Sequence, residues 1–289
     1  MLCAISPISK MASMNETRAF HETNEPYALP NDAQEWERRN AQRHQLLPRS
    51  QALLGSIYPE PNRILEIGCG SGAWAIQAAQ TYPKSSVIAI DISPLPSRAL
   101  PPNTQFLQLN VTDTALPFEQ ESFDIIHARF FFLHLRNWKT ILTHIISYLK
   151  PRGWLWIEET DIYFRDDGPH GLGPFCKKFN DIYLSYMSSR NVDPLAGSSL
   201  SSVLQDTNSF SQVNCISIKC PFNGNDTDPR IQLMGRVWYS SLQRVVKGLD
   251  PKLIEACLSP EVMEVVIQEA GDPLRSSYWP FNMTWSQKK

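Results

Sequence analysis

The sequence lacks the features that mark several common classes of protein. In its 289 residues, no apolar stretch approaches the roughly 20 residues that a membrane-spanning helix needs. No basic run exceeds two residues outside the terminal Lys288-Lys289, and the formal net charge is −2. Since electrostatic binding to nucleic acid needs a clustered cationic surface, we expect neither a membrane protein nor a nucleic-acid-binding one.

Cysteine and histidine usage argues against a metal site and against an oxidising, extracellular location. The six cysteines form no Cys-x-x-Cys pair and have no zinc-like spacing with the six histidines, so no metal site is expected. This usage indicates a reduced intracellular compartment, and we expect a cytoplasmic protein, with a nuclear one as the alternative. Because Pro7 interrupts a short apolar start, residues 1–25 are predicted to be a disordered tail rather than a signal peptide.

What the sequence does contain is a strand, a glycine turn and a helix in direct succession. The apolar run 63–67 predicts a buried strand, glycines stand at 68, 70 and 72, and residues 73–80 predict a helix. This is the first unit of a doubly wound sheet, in which ligands bind at the carboxyl ends of the strands. The spacing is neither Gly-x-Gly-x-x-Gly nor a phosphate-binding Gly-Lys-Ser/Thr loop, and the turn has no Lys or Arg. It therefore favours a ligand with an adenosine end and no phosphate.

Polar residues follow the next strands. Asp91 ends the second apolar run, 23 residues after Gly68, and can accept hydrogen bonds from both ribose hydroxyls. Asn110 and Val111 follow the third run, where an adenine would lie. The proline-rich crossover 93–102 predicts a loop where a helix is usual, since proline costs about 3 kcal/mol inside a helix, and this would leave the adenine side more open.

These motifs, taken in order, resemble class I S-adenosylmethionine-dependent methyltransferases. They are Glu66 to Gly72, Asp91, Leu116-Pro117-Phe118 with Ser122-Phe123-Asp124, and Leu149 to Gly153, which predicts a turn before the fifth strand. The resemblance covers about residues 60–160. It implies an α/β fold, with a doubly wound, seven-stranded Rossmann-like sheet and a helical lid, and S-adenosylmethionine as the cofactor. The cofactor-binding residues that it implies are Tyr27, Glu66, Gly68, Cys69, Gly70, Trp74, Asp91, Ile92, Asn110, Val111 and Arg129.

An upstream stretch narrows the resemblance. Residues 27–32, with Glu35, Arg38 and His44, are similar to the N-terminal segment of fungal secondary-metabolism methyltransferases, a group that includes the velvet-complex regulator type. The His-Ala-Arg at residues 127–129 resembles the His-Gly-Arg that this group carries after its fourth strand. We expect residues 26–58 to form a helical segment that closes the cleft, with a packing arm as the alternative.

The remaining organisation is predicted from periodicity. Residues 59–160 form the cofactor core, 161–210 a helical insertion and 211–289 the strands and helices that complete the sheet. A helix over 175–189 presents one apolar stripe, which either packs on the sheet or lines the acceptor pocket. Gln212 to Lys219 is the predicted sixth strand, and Ser277 to Trp285 the seventh, antiparallel at the sheet edge.

The chemistry expected is methyl transfer to a small secondary metabolite of apolar or aromatic character. Holding the nucleophile in line with the methyl group can account for most of the reduction in the activation barrier. A general base is needed only for an acceptor that is protonated at working pH. The candidates are His134, His127 and Glu159, at the tips of the fourth and fifth strands. Three alternatives remain: a nicotinamide oxidoreductase, which the glycine spacing disfavours, a cofactor-binding regulatory protein, and an enzyme of this fold with a non-methylating reaction.

Overall fold

The computed structural model describes residues 60–112, 116–246 and 258–289. The predictions for the tail 1–25, for the segment 26–58 and for Tyr27 lie outside the described residues. Within the described part, no helix is both long and apolar enough to cross a membrane, and no group of three or more metal-ligating side chains is found.

Seven strands form one sheet. Their bounds are β1 Arg63–Ile67, β2 Ser86–Asp91, β3 Thr104–Gln108, β4 Phe123–Arg129, β5 Leu149–Thr160, β6 Phe210–Pro221 and β7 Tyr278–Lys288. The order across the sheet is β3-β2-β1-β4-β5-β7-β6. The pairs from β3 to β5 are parallel, whereas β7 is antiparallel to both β5 and β6. The chain order reverses between β1 and β4, so their carboxyl ends flank the crevice where ligands bind in such sheets.

In the described part of the chain, six α-helices and a short 3-10 helix cover the two faces of the sheet. They are α1 Ala73–Thr81, the 3-10 helix Phe132–His134, α2 Trp138–Ser147, α3 Pro174–Ser189, α4 Ala196–Asp206, α5 Pro229–Val246 and α6 Pro260–Ala270. One hydrophobic core combines α1, α3, α5 and α6, and the other combines the 3-10 helix, α2 and α4. The doubly wound α/β fold is therefore confirmed.

Several local predictions are also confirmed. Residues 92–103, all of them described, contain no helix, as the prolines of the crossover predict. The helix predicted over 175–189 is present as α3, in which Phe179 is 3% exposed and lies in one of the two cores, whereas Phe175 is 36% exposed. Ser259 caps α6, because its hydroxyl accepts a hydrogen bond from the Val262 N–H.

Two predictions were wrong. β7 is not the edge strand, because it lies between β5 and β6, and β6 forms the edge. Seven consecutive residues from Tyr278 to Thr284 are buried, which is typical of an inner strand. The expected turn at 149–153 is part of β5. Leu149 pairs with Phe123, and the extra residues before Trp154 form a bulge in which Arg152 has a φ of 63°.

Candidate active site

The glycine turn needs glycine for its backbone conformation and for space. Gly68, Gly70 and Gly72 have φ angles of 64°, 53° and 68°, which are left-handed and strained for any other residue. A Cβ on Gly68 would lie 2.5 Å from Cδ2 of Phe131. The Cys69 N–H donates to the Ile90 carbonyl at 3.0 Å, which joins the turn to the end of β2. The turn is therefore a backbone cradle, bordered by the Phe131 ring, with no room for a side chain at residue 68.

Cys69 has a structural place in this turn. The side chain is 6% exposed. Burial, followed by the charges of Glu66 and Asp91, raises the pKa of its thiol far above the ordinary value. Since the thiolate is the reactive form, this environment argues against a nucleophilic or redox role. Cys69 fits as a small residue that packs inside the turn.

Asp91 lies at the carboxyl end of β2 and faces the turn. Its Oδ2 accepts a hydrogen bond from the Gly70 N–H at 2.8 Å, and its Oδ1 accepts one from the Ser93 N–H at 2.9 Å. The side chain is half-buried. An ionised carboxylate has about four acceptor positions, so these two bonds leave capacity for a ligand hydroxyl. Asp91 therefore holds the turn in place and still has oxygen lone pairs that can accept hydrogen bonds from ribose hydroxyls.

The crossover between β2 and β3 folds back onto the turn. A Cβ on Gly72 would lie 3.0 Å from Cδ1 of Leu95. A guanidinium nitrogen of Arg98 donates to the Ser71 carbonyl. The turn contains no cation of its own, but the crossover brings one to it, and our reading of the sequence missed this residue. The four prolines were the available signal, because a loop in place of a helix is free to bend toward the turn.

Ile92, Asn110 and Val111 lie where the ends of β2 and β3 meet. Asp91 pairs with Gln108 in the parallel register, which brings the two strand ends side by side. The Asn110 side-chain oxygen accepts hydrogen bonds from the N–H and the hydroxyl of Thr112, at 3.0 and 2.8 Å. Ile92, Asn110 and Val111 are all partly buried. The sheet thus brings these predicted residues together with Asp91.

His127 and Trp74 lie in the interior rather than in the crevice. The His127 ring is 0% exposed and stacks on Trp74 with 3.7 Å between ring centroids. Trp74 is itself 2% exposed. Burial lowers the pKa of His127 to about 4, while Glu158 acts in the opposite direction. This placement argues against His127 as a general base and against contact of Trp74 with a ligand.

Glu66 lies near the Nδ1 atom of the same imidazole. Its Oε1 is 3.9 Å from Nδ1 of His127, and Oε2 of Glu158 is 3.9 Å from Nε2. The second oxygen of Glu66 accepts a hydrogen bond from the Ala75 N–H at 2.7 Å, in the first turn of α1. A carboxylate is stabilised at a helix N-terminus, so Glu66 anchors α1 beneath the glycine turn.

Arg129 has an incompletely satisfied guanidinium at the tip of β4. Its Nε pairs with Glu158, which is fully buried. The Arg129 side chain is 12% exposed, and its Nη2 is buried with no hydrogen-bond partner in the described part of the chain. An unpaired buried donor of a charged group is costly, and a ligand carboxylate would satisfy it with a charge-assisted bond.

The candidate bases on the two strand tips differ in exposure. Glu159 is fully buried, and burial raises its pKa to about 8, while hydrogen bonds from Thr160, Leu133, Phe131 and Phe132 act to lower it. His134 is half-buried at the end of the 3-10 helix. Of the three candidates, only His134 retains an exposed surface that an acceptor could contact.

We expect His127 to destabilise the fold in acid. Its folded-state pKa of about 4 lies below the ordinary 6.5, so the unfolded state binds more protons between these values. The stability that this difference contributes is complete above pH 6.5 and is lost as pH falls toward 4, and it amounts to roughly 3 kcal/mol. Chemical denaturation of the wild type and of His127→Phe at pH 7, 5.5 and 4.5 tests this. If the free energy of unfolding changed with pH in the same way in the wild type and in the variant, this expectation would be contradicted.

The residues of the crevice fit S-adenosylmethionine. The adenosine end has ribose hydroxyls for the Asp91 carboxylate, and the methionine end has a carboxylate for Nη2 of Arg129, which lacks a partner within the described ranges. β1 lies between β2 and β4, so the cradle at Gly68 lies between these two residues and presents backbone rather than a side chain. The donors and acceptors present are therefore those that this cofactor requires.

Comparisons with known proteins identify the family of this chain. A family described as "Methyltransferase domain" matches residues 33–205. "Methyltransferase str3" of Strobilurus tenacellus is 38% identical over 223 residues, or 76% of this chain and 79% of that protein. "Protein-methionine methyltransferase laeA" of Emericella nidulans is 28% identical over 248 residues, or 81% of this chain and 65% of that protein, so this chain spans less than two thirds of it.

A solved structure shows the same fold. Phosphoethanolamine N-methyltransferase 2 of Haemonchus contortus, in complex with S-adenosyl-L-methionine, has a TM-score of 0.52 at 16% identity. The match covers 86% of this chain and 56% of that one, so this chain spans about half the length of the solved chain. The chain therefore belongs to the methyltransferase domain family and is, by fold and motifs, a class I S-adenosylmethionine-dependent methyltransferase.

Proposed function

We propose that this protein transfers a methyl group from S-adenosylmethionine to a small apolar or aromatic acceptor by in-line displacement. The observation that supports this most directly is a pair of complementary groups on either side of the glycine turn. They are the Asp91 carboxylate and Nη2 of Arg129, which has no hydrogen-bond partner among the described residues. When bound, the cofactor supplies an electrophilic methyl group on a sulfonium. The protein's task is then to hold the acceptor in line with that methyl group.

Each end of the crevice has a separate role in this proposal. Asp91 binds the ribose hydroxyls, and Arg129 binds the carboxylate of the methionine end, while Glu158 keeps the guanidinium in place. The partly buried Phe130 ring lies at the tip of β4 and is backed by the buried rings of Trp238 and Phe281, at 6.0 and 5.7 Å between centroids. An apolar wall beside the reacting centre favours an aromatic or apolar acceptor and excludes water.

His134 is the residue that we propose as base, if the acceptor is protonated at working pH. A histidine titrates near neutral pH and suits a phenol or an alcohol, whereas a thiol hardly needs a base. Glu159 and His127 have no such role in this proposal, because both are fully buried.

A second candidate is a regulatory methyltransferase that acts on protein methionine. The relative from Emericella nidulans carries that description, at 28% identity. The more similar relative from Strobilurus tenacellus is described simply as a methyltransferase. The Phe130 ring at the tip of β4 is the observation that favours a small apolar acceptor for this chain.

The experiment is an unbiased screen of small-molecule extracts and of protein extracts. Each is incubated with the purified protein and S-adenosylmethionine, and products heavier by one methylene group are sought by mass spectrometry. A product in the small-molecule extract supports the proposal. Methylated methionine in proteins alone would favour the regulatory candidate, and a protein that binds S-adenosylhomocysteine but methylates neither extract would contradict both.

The role of Arg129 is tested in a background without its buried partner. Arg129→Met alone would leave Glu158 buried and uncompensated, which is itself destabilising. We therefore compare Glu158→Gln with the double variant Arg129→Met/Glu158→Gln. Loss of the charge-assisted bond is expected to weaken S-adenosylhomocysteine binding about 10- to 100-fold in the double variant relative to Glu158→Gln. Equal dissociation constants from calorimetry would remove Arg129 from the site.

A further inference from the structure

The loop that follows β4 carries three consecutive phenylalanines, and each faces a different part of the molecule. Phe130 packs on Trp238 and Phe281 in one core. Phe132 packs against Trp138 in the other core, with 5.8 Å between ring centroids. Phe131 is only half-buried and lies against the glycine turn, where its ring atoms would contact any side chain at Gly68. The loop thus places one aromatic ring directly on the cradle.

One buried carboxylate holds this loop. Oε2 of Glu159 accepts hydrogen bonds from three successive backbone N–H groups, those of Phe131 at 2.9 Å, Phe132 at 2.8 Å and Leu133 at 3.3 Å. Its Oε1 accepts a fourth bond, from the Thr160 N–H at 3.0 Å. Glu159 is 0% exposed, so water cannot replace it as the acceptor.

The backbone entering the loop is strained. Phe130 has a φ of 50°, a left-handed conformation that is an outlier for a bulky residue. The Phe130 N–H donates to the Glu158 carbonyl at 2.9 Å, directly before the three bonds to Glu159. Strain of this kind persists only where the surroundings impose it, and it concentrates at functional sites. Here two successive residues at the end of β5 impose the strained conformation. The Glu158 carbonyl binds the Phe130 N–H, and the Glu159 side chain binds the N–H groups that follow.

We propose that Glu159 is a positioning residue for the cofactor, acting through Phe131. This inference rests on the proposed function. The carboxylate gathers the three N–H groups, the gathered backbone seats the Phe131 ring against Gly68, and the ring forms the wall of the cradle on that side. Without the carboxylate, the ring occupies this position only part of the time, and the apparent affinity for the cofactor falls with the seated fraction.

The test combines backbone exchange with ligand binding. The measurements are made above pH 8, where Glu159 is ionised. In Glu159→Gln, one amide oxygen then replaces two carboxylate oxygens and an NH2 group faces N–H donors. We expect faster hydrogen exchange at the amides of 131–133 in the free protein. We also expect S-adenosylhomocysteine binding about tenfold weaker by calorimetry. Phe131→Ala should weaken S-adenosylhomocysteine binding by a similar factor. The double variant Phe131→Ala/Glu159→Gln should bind no more weakly than Phe131→Ala alone.

Asp161→Asn is the matched control. Asp161 is also fully buried near the end of β5, and its Oδ1 accepts a hydrogen bond from the Ser198 N–H at 2.8 Å, at the start of α4. This variant should lower the melting temperature and leave S-adenosylhomocysteine affinity unchanged.

Each outcome decides the inference. Unchanged exchange in Glu159→Gln, or faster exchange with unchanged affinity, would overturn it. If Glu159→Gln does not fold, Phe131→Ala decides: weaker binding supports the inference and wild-type affinity overturns it. Failure of the wild type to bind S-adenosylhomocysteine at all would instead overturn the proposed function, and this inference with it.

Discussion

Replacing Gly68 with valine is expected to abolish detectable S-adenosylhomocysteine binding. The φ of 64° costs a residue with a Cβ roughly 1–2 kcal/mol. The added Cβ would lie 2.5 Å from Cδ2 of Phe131, so the ring or the turn must move. The valine methyl groups would then fill the cradle in which the cofactor is proposed to lie. Calorimetry with S-adenosylhomocysteine and the melting temperature, measured on the same preparation, test this.

Gly171 provides a control that separates space from backbone strain. It has a φ of 59°, close to that of Gly68, but a Cβ there would meet nothing within 4 Å. Gly171→Val should therefore lower the melting temperature through strain alone and bind S-adenosylhomocysteine as the wild type does. If Gly68→Val also binds at wild-type affinity, the turn is not the cofactor loop.

Asp91→Ala is expected to weaken S-adenosylhomocysteine binding by about 10- to 150-fold, the effect of losing a hydrogen bond to a charged group. The reason is twofold. The carboxylate proposed to bind the ribose is lost, and so are the two bonds that hold the N–H groups of Gly70 and Ser93. Titration calorimetry on a variant shown to be folded by circular dichroism gives the measurement.

Asp124→Ala is the matched control for this variant. Oδ2 of Asp124 accepts hydrogen bonds from the N–H groups of Asn62 and Arg63, at 3.0 and 2.8 Å, at the amino end of β1. It thus braces two backbone groups at the opposite end of the same sheet, away from the crevice. Its loss should lower stability without changing ligand affinity. Equal affinity losses in the two variants would mean that Asp91 acts only through stability.

Much of the fold could be predicted because the signals were local. An apolar run before alternating glycines, prolines at helix starts and the four prolines of the crossover each act on their own few residues. Strand order was harder. The aromatic tail that forms β7 was placed at the edge, although its continuous burial on both sides suits an inner strand. Whether a strand is inner or outer depends on which strand pairs beside it, and no local pattern records that pairing.

The residues of the candidate site also fall into two groups, those that could be predicted from the sequence and those that could not. Asp91, Asn110 and Val111 were predicted from their positions at strand ends and Ile92 from the family resemblance, and the parallel register brings them together. The bases were not settled, because the faces to which His127 and Glu159 point depend on the phase of strand alternation. The structure buries both, one against Trp74 and the other beneath the loop after β4.

The sequence by itself determined the doubly wound class, the left-handed glycine turn and the acid that follows β2, since each depends on backbone sterics or on adjacent residues. Only the tertiary structure decided which polar groups face the crevice. Arg98 reaches the turn from a crossover 27 residues away, and Glu159 holds a loop 26 to 28 residues upstream. Contacts over such distances form only when the strands pair and exclude water, because a buried carboxylate or guanidinium must then find its partners wherever the fold brings them.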